Sequence, residues 1–227
     1  MQTTEIYLDS KDNNVQETSF SLPVRALAGF ISYVFHPLFL PLYVILFLLF
    51  VHPDAFTGFS PAARWQIFFI VFINIVLFPL LSVLLLKALG FIDSIFLRER
   101  KDRIIPYIAC GIFFFWAYNV FKQQPQYPLL WVSFLLGLFL SSSAALIANI
   151  YFKVSMHAIG VGGVAGFFLM LTNSNQMPMP WPLALSILIA GFVCTSRLLL
   201  KAHRPFDIYG GLVIGFVLQF AAFIITC

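Results

Sequence analysis

Residues Gln66–Gly90 read QIFFIVFINIVLFPLLSVLLLKALG, with a single charge, Lys87, close to the end of the run. At about 1.5 Å of helical rise per residue, such a run is long enough to cross a hydrocarbon core roughly 30 Å thick. The rest of the chain has the same character. Of 227 residues, 61% are apolar, 10% are charged and 28 are Phe, and the mean hydropathy is +0.95. Soluble domains average about 45–50% apolar and about 25% charged residues. A water-soluble globular fold and a disordered chain are both excluded. A nucleic-acid binder is excluded too, because the basic residues behind the net charge of +4 are few and clustered. The composition predicts an all-α, polytopic transmembrane helical bundle of six to seven membrane helices. At about 20 apolar residues per crossing, the length leaves no room for a soluble domain.

Seven apolar segments are predicted, roughly Ala26–Val51, Gln66–Gly90, Ile104–Phe121, Leu129–Phe152, His157–Leu171, Pro182–Leu200 and Ile208–Cys227. Pro37 and Pro41 kink or split the first. The fifth is short and glycine-rich and reads as partly re-entrant. Residues 1–25 form a polar N-terminal segment, and 26–227 a single transmembrane domain. The N-terminus lacks a basic region running into an apolar stretch, so it is not expected to be a cleaved signal peptide. Cys110, Cys194 and Cys227 have no metal-ligand spacing and read as small membrane-embedded hydrophobes. Helices in lipid associate through small residues, and these occur in pairs: Gly162 with Gly166, and Gly211 with Gly215.

The polar residues are unevenly distributed. Alternate connections, on one membrane face, carry Lys11, Arg25, Lys87, Arg98, Arg100, Lys101, Arg103, Lys153, Arg197, Lys201 and Arg204, whereas the other face has only Arg64 and Lys122. Trp65, Trp131 and Trp181 fall at that opposite face, where amphipathic rings settle. Three clusters share the charged face: Arg98–Pro106 (RERKDRIIP), Lys153–Ala158 (KVSMHA) and Ser196–Asp207 (SRLLLKAHRPFD). Two crossings separate each cluster from the next, so all three reach one membrane surface. Guanidinium groups and a hydroxyl gathered there suit phosphate oxygens. Two histidines suit nucleophilic and acid–base work. His203 and Asp207 are four residues apart, and the carboxylate, reaching back past Pro205, can fix one ring nitrogen and leave the other to attack phosphorus. His157 would then protonate the leaving oxygen. His36 lies near the charged-face half of the first segment, where it could line the pocket, but it is read as structural and left out of the site. His52 belongs to the opposite face.

The third cluster has the spacing SRxxxxxHxxxD and resembles the third motif of the PAP2 superfamily, the type 2 phosphatidic acid phosphatases related to vanadium haloperoxidases. Val154-Ser155-Met156-His157 is similar to that family's PSGH motif, with Pro and Gly replaced. The first cluster resembles KxxxxxxRP loosely: two isoleucines separate Arg103 from Pro106, and Phe96 stands seven residues before Arg103. The resemblance covers about Arg98 to Gly211. It implies His203 as nucleophile, Asp207 as its orienting partner and His157 as general acid. Arg197, Ser155, Arg103 and Arg100 would hold phosphate oxygens, with Arg98 and Lys101 as rivals of Arg100. A Met side chain at 156, where the family has glycine, narrows the approach.

The expected function is an integral membrane lipid phosphatase. Its substrate would be a phosphatidate, phosphatidylglycerophosphate or polyprenyl phosphate or pyrophosphate, cleaved through a phosphohistidine. No metal, cofactor or nucleic acid is expected. The expected location is a bacterial inner membrane. The alternatives are a transporter or channel for an anionic solute and a catalytically altered lipid-binding protein. A magnesium-dependent transferase ranks last for want of clustered aspartates. Outside the clusters, Lys11, Arg25 and Lys87 face Arg64 and Lys122, too even a tally to orient the site.

Overall fold

The structure, a computed structural model, describes residues 20–95, 97, 99–173 and 179–227. Most of the polar N-terminal segment, including Lys11, and Arg98 of the first cluster lie outside the described residues. The described residues are all-helical. Nine α-helices follow in order: α1 Leu22–Val34, α2 Leu40–Phe50, α3 Pro61–Phe72, α4 Phe78–Ala88, α5 Ile104–Lys122, α6 Leu129–Tyr151, α7 Met156–Asn173, α8 Pro180–Leu199 and α9 Pro205–Thr226. A π turn, Ile73–Leu77, joins α3 to α4, and a 3-10 turn, Lys101–Arg103, leads into α5. Six helical spans are long and apolar enough to cross a membrane: Pro61–Ala88, Lys101–Lys122, α6, α7, α8 and α9.

Two of the expected segments take a different form. The first is not one crossing but two short helices, α1 and α2. Pro37 has no N–H for the ladder and disfavours helical geometry at His36 before it. The chain therefore bends through 35–39, with the Phe39 N–H donating to the His36 carbonyl at 2.8 Å. The fifth, expected to be partly re-entrant, is an unbroken 18-residue helix, α7. Its glycines do not break it, because they serve helix contact.

That contact positions the site. A side chain at Gly162 would run into the backbone of Leu212, and one at Gly215 into the backbone of Ile159. A Cβ at Gly211 would stand 2.9 Å from the Ser155 carbonyl. Removing side chains on both helices lets α7 and α9 approach to backbone distance, so their N-terminal ends lie side by side. The long span Pro61–Ala88 starts at a Ser60 cap, whose Oγ accepts the Ala63 N–H at 3.2 Å. It stops at Gly90, where φ is +76°. The Gly90 N–H donates to Lys87 and the Phe91 N–H to Leu86, the paired closure that favours glycine. The large aromatic core, with Trp131, Phe121, Phe134 and Phe167, fills the half of the bundle away from the charged face. A smaller cluster of Tyr107, Ala145, Ala148, Val154 and Ile159 underlies the charged end.

Candidate active site

Backbone contacts hold the three clusters together. The Ser155 N–H donates to the Asp207 carbonyl at 3.1 Å, joining the second cluster to the third. Arg103 Nη1 donates to the Val154 carbonyl at 3.2 Å, joining the first to the second, and Arg103 Nε donates to Leu97 O at 2.9 Å. Ser155 is fully buried as the residue before α7, and its Oγ accepts the Ala158 N–H at 3.4 Å. The hydroxyl proton is left to donate to an anion.

The end of α8 presents two functional side chains. The Lys201 N–H donates to Leu198 O and the Ala202 N–H to Arg197 O, a helix closure that places Lys201 at φ +50°. A non-glycine residue there costs about 1–2 kcal/mol. The reversal brings His203 back over the α6–α7 connection, where its Nδ1 donates to the Lys153 carbonyl at 3.0 Å. A carbonyl only accepts, so Nδ1 carries the proton and Nε2 keeps a lone pair. Burial, followed by the Arg197 and Arg103 charges, pushes the His203 pKa down to about 4, against the Lys153 carbonyl and Asp207. His203 is therefore neutral, a nucleophile's state, across the physiological range.

Arg197 lies in the last turn of α8. Its Nε is buried and has no hydrogen-bond partner among the described residues. Its charge acts on His36, His157 and His203, and the Arg103 charge acts on Arg197 in turn. His157, on the first turn of α7, directs Nε2 at the Ser32 carbonyl of α1, 3.0 Å away. The arrangement is two imidazoles and two guanidiniums with almost no opposing carboxylate. Like charges held together with an open donor make a site for an oxyanion. Among the described residues no three His, Cys, Asp or Glu side chains converge.

Two expected site residues have other partners. Asp207 is not hydrogen-bonded to His203. Pro205 starts a new helix, so Asp207 becomes its third residue, and Oδ2 accepts the Arg204 N–H at 3.1 Å as an N-terminal cap. The tautomer of His203 is fixed by Lys153 O instead. Arg100 turns away from the pocket. Its Nε donates to Asn149 O at 2.9 Å and its Nη atoms to Tyr151 and Ile150, while Asn149 Nδ2 returns a bond to Arg100 O at 2.8 Å. These are the last carbonyls of α6, unpaired within their own helix. Of Arg100's rivals, Lys101 pairs at 3.7 Å with Asp93 at an exposed position, and Arg98 lies outside the described residues.

One residue read as structural faces the site. The His36 ring meets the His157 ring edge-on, with centroids 5.3 Å apart. The sequence signal was the His-Pro pair itself, which marks a helix break on the charged half, but the same pair occurs at His52.

No curated protein and no solved structure matches the chain. The PAP2 superfamily model matches residues 141–226, the stretch that holds Ser155, His157, Arg197, His203 and Asp207. That stretch is similar to the PAP2 superfamily, whose members are generally phosphatases.

Proposed function

We propose that the protein is an integral membrane phosphatase acting on the phosphate monoester or pyrophosphate of a lipid, by way of a phosphohistidine. The observation that carries this reading is the buried Nε of Arg197, which has no hydrogen-bond partner among the described residues and whose charge acts on both His157 and His203. A guanidinium donor left without a carboxylate in a buried place is costly unless an anion fills it.

The reaction runs in two displacements. The Nε2 lone pair of His203 attacks phosphorus, an N–P bond forms, and the bond to the ester oxygen breaks. Arg197 and Arg103 hold the non-bridging oxygens, where charge accumulates. His157 enters this step as the imidazolium, its Nε2–H donating to Ser32 O, and gives its Nδ1 proton to the leaving oxygen, becoming neutral. A water then attacks phosphorus, giving up its proton to His157. The N–P bond breaks, and orthophosphate and neutral His203 are released.

A lipid substrate is favoured by the ground beside the pocket. An apolar cleft of about 190 Å³ runs between α2, α7 and α8 from Phe35, next to His36, to Trp181 near the opposite face, with Leu40, Val161 and Phe168 on its walls. Its apolar lining suits an acyl or prenyl chain.

The test is release of orthophosphate from phosphatidate and a polyprenyl phosphate in detergent micelles. Wild-type protein is expected to turn over at least one, with vanadate as inhibitor, and His203→Ala to lose about a thousandfold or more. Acid-labile, alkali-stable labelling of the wild type by ³²P substrate, absent in His203→Ala, is expected as well. Unchanged release in His203→Ala refutes the reading.

A further inference from the structure

The bend between α1 and α2 lies far outside residues 141–226, yet it is built into the pocket. It is fastened at three points. The Tyr43 hydroxyl donates to Val34 O at 2.8 Å, closing the end of α1. Ser32 O meets His157 Nε2 at 3.0 Å. Gly160, one turn into α7 from His157, leaves the space in which the bend sits: a Cβ there would stand 2.8 Å from Leu40 Cδ1 and 3.4 Å from Pro37 Cβ. A Cβ at 160 would require the Leu40 side chain to shift.

Within it, His36 has a defined tautomer. Its Nδ1 accepts the Leu38 N–H at 3.3 Å, so the proton of the neutral ring sits on Nε2. No hydrogen bond to Nε2 occurs among the described residues. The ring is exposed, edge-on to His157 and within reach of the Arg197 charge. His52 also leaves its Nε2 unpaired, but buried against Phe47, whereas the His36 ring is exposed beside His157 and the Arg197 charge.

We propose that His36 is a phosphate ligand of this site, its Nε2–H donating to an oxygen of the bound phosphoryl group, and that the Ser32 carbonyl holds His157 in register from the same bend. The proposal rests on the phosphatase reading for its substrate, but its binding step needs only an oxyanion. The N-terminal helices thereby complete a pocket whose other ligands come from the first cluster and from residues 141–226. His36 comes from the bend and Arg197 from α8, so the bend must be seated for both to bind.

Two substitutions separate donor from packing. His36→Phe keeps a flat ring of similar size and removes the donor. His36→Gln keeps an N–H at about the reach of Nε2. Vanadate affinity of the detergent-solubilised full chain, followed by ⁵¹V NMR, is expected to weaken about 10- to 100-fold in His36→Phe, the range for a hydrogen bond to a charged group. His36→Gln is expected to recover to within a few-fold of wild type, and Tyr33→Phe on the exposed side of α1 to match it. In orthophosphate release, His36→Phe is expected to raise KM and lower kcat together. Equal vanadate affinity in wild type and His36→Phe overturns the proposal, as does a Gln variant as weak as the Phe variant at unchanged melting temperature. Should the wild type release no phosphate but bind vanadate in a His36-dependent way, the phosphatase reading fails and the ligand assignment survives.

Discussion

The two ends of the bundle carry the same kinds of polar residue in opposite conditions. At the far end, Arg64 donates to Phe59, Leu49 and Phe56 carbonyls at 3.2, 2.9 and 3.1 Å, all left over from helix ends and the turn between them. His52, followed by Pro53, accepts the Asp54 and Ala55 N–H groups and is buried against Phe47, and its Nε2, like that of His36, has no hydrogen-bond partner among the described residues. At the charged end, Arg197 has a buried donor with no partner among the described residues, and His36, followed by Pro37, is an exposed ring edge-on to His157. The dipeptide and the residue types are the same. What differs is the supply of unpaired carbonyls. The far end offers several to Arg64, whereas around Arg197 the carbonyls at Ser32, Lys153 and Val154 already serve His157, His203 and Arg103.

The contrast breaks most visibly through the two arginines. Arg197→Ala is expected to weaken vanadate binding about 10²-fold or more, the scale for losing a donor to an oxyanion, with little change in melting temperature. Arg64→Ala is expected to do the reverse. It lowers the melting temperature in detergent and leaves vanadate affinity within a few-fold, because three carbonyls lose their donor. A mirror-image result removes the distinction.

The pH response sharpens it. Because folding holds His203 well below its ordinary pKa of 6.5, at about 4, the unfolded chain binds the extra proton first. Stability from this group is present above pH 6.5 and is lost as pH falls toward 4. In ¹⁵N-labelled protein the His203 imidazole is expected to titrate near 4, and in Arg197→Ala to titrate higher. A His203 resonance titrating at or above 6.5 in the wild type contradicts the electrostatics described here.

The smallest effect belongs to Asp207. As a cap at the start of α9, Asp207→Asn keeps an acceptor for the Arg204 N–H and loses a charge worth about 0.3–1 kcal/mol at a helix N-terminus. Phosphate release is expected to fall less than about tenfold. A loss as large as that of His203→Ala would mean that the carboxylate orients His203 during turnover.

Much of this architecture is legible along the chain. Runs such as Gln66–Gly90 have one physical solution in lipid, a helix with its backbone bonds closed internally. The glycine pairs 162/166 and 211/215 announce close packing without naming the partner, and the structure makes them partners of each other. The site was legible where spacing is rigid. Ser155 and His157 are tied to one helix start, and Arg197 to the last turn of another. It was not legible where a break intervenes. Pro205 restarts the helix and turns Asp207 into a cap, and a long side chain such as Arg100 goes to whichever carbonyls the neighbouring helix leaves open.

The sequence by itself determined the solvent of this protein, the helices that lie in it and the membrane end that gathers the polar chemistry, because the transfer cost of apolar and charged groups is set residue by residue. Only the tertiary structure decided which cation stays without a partner and which histidine faces it. Hydrogen-bond partners are shared out among helix ends brought together by packing, and no stretch of chain contains both sides of that exchange.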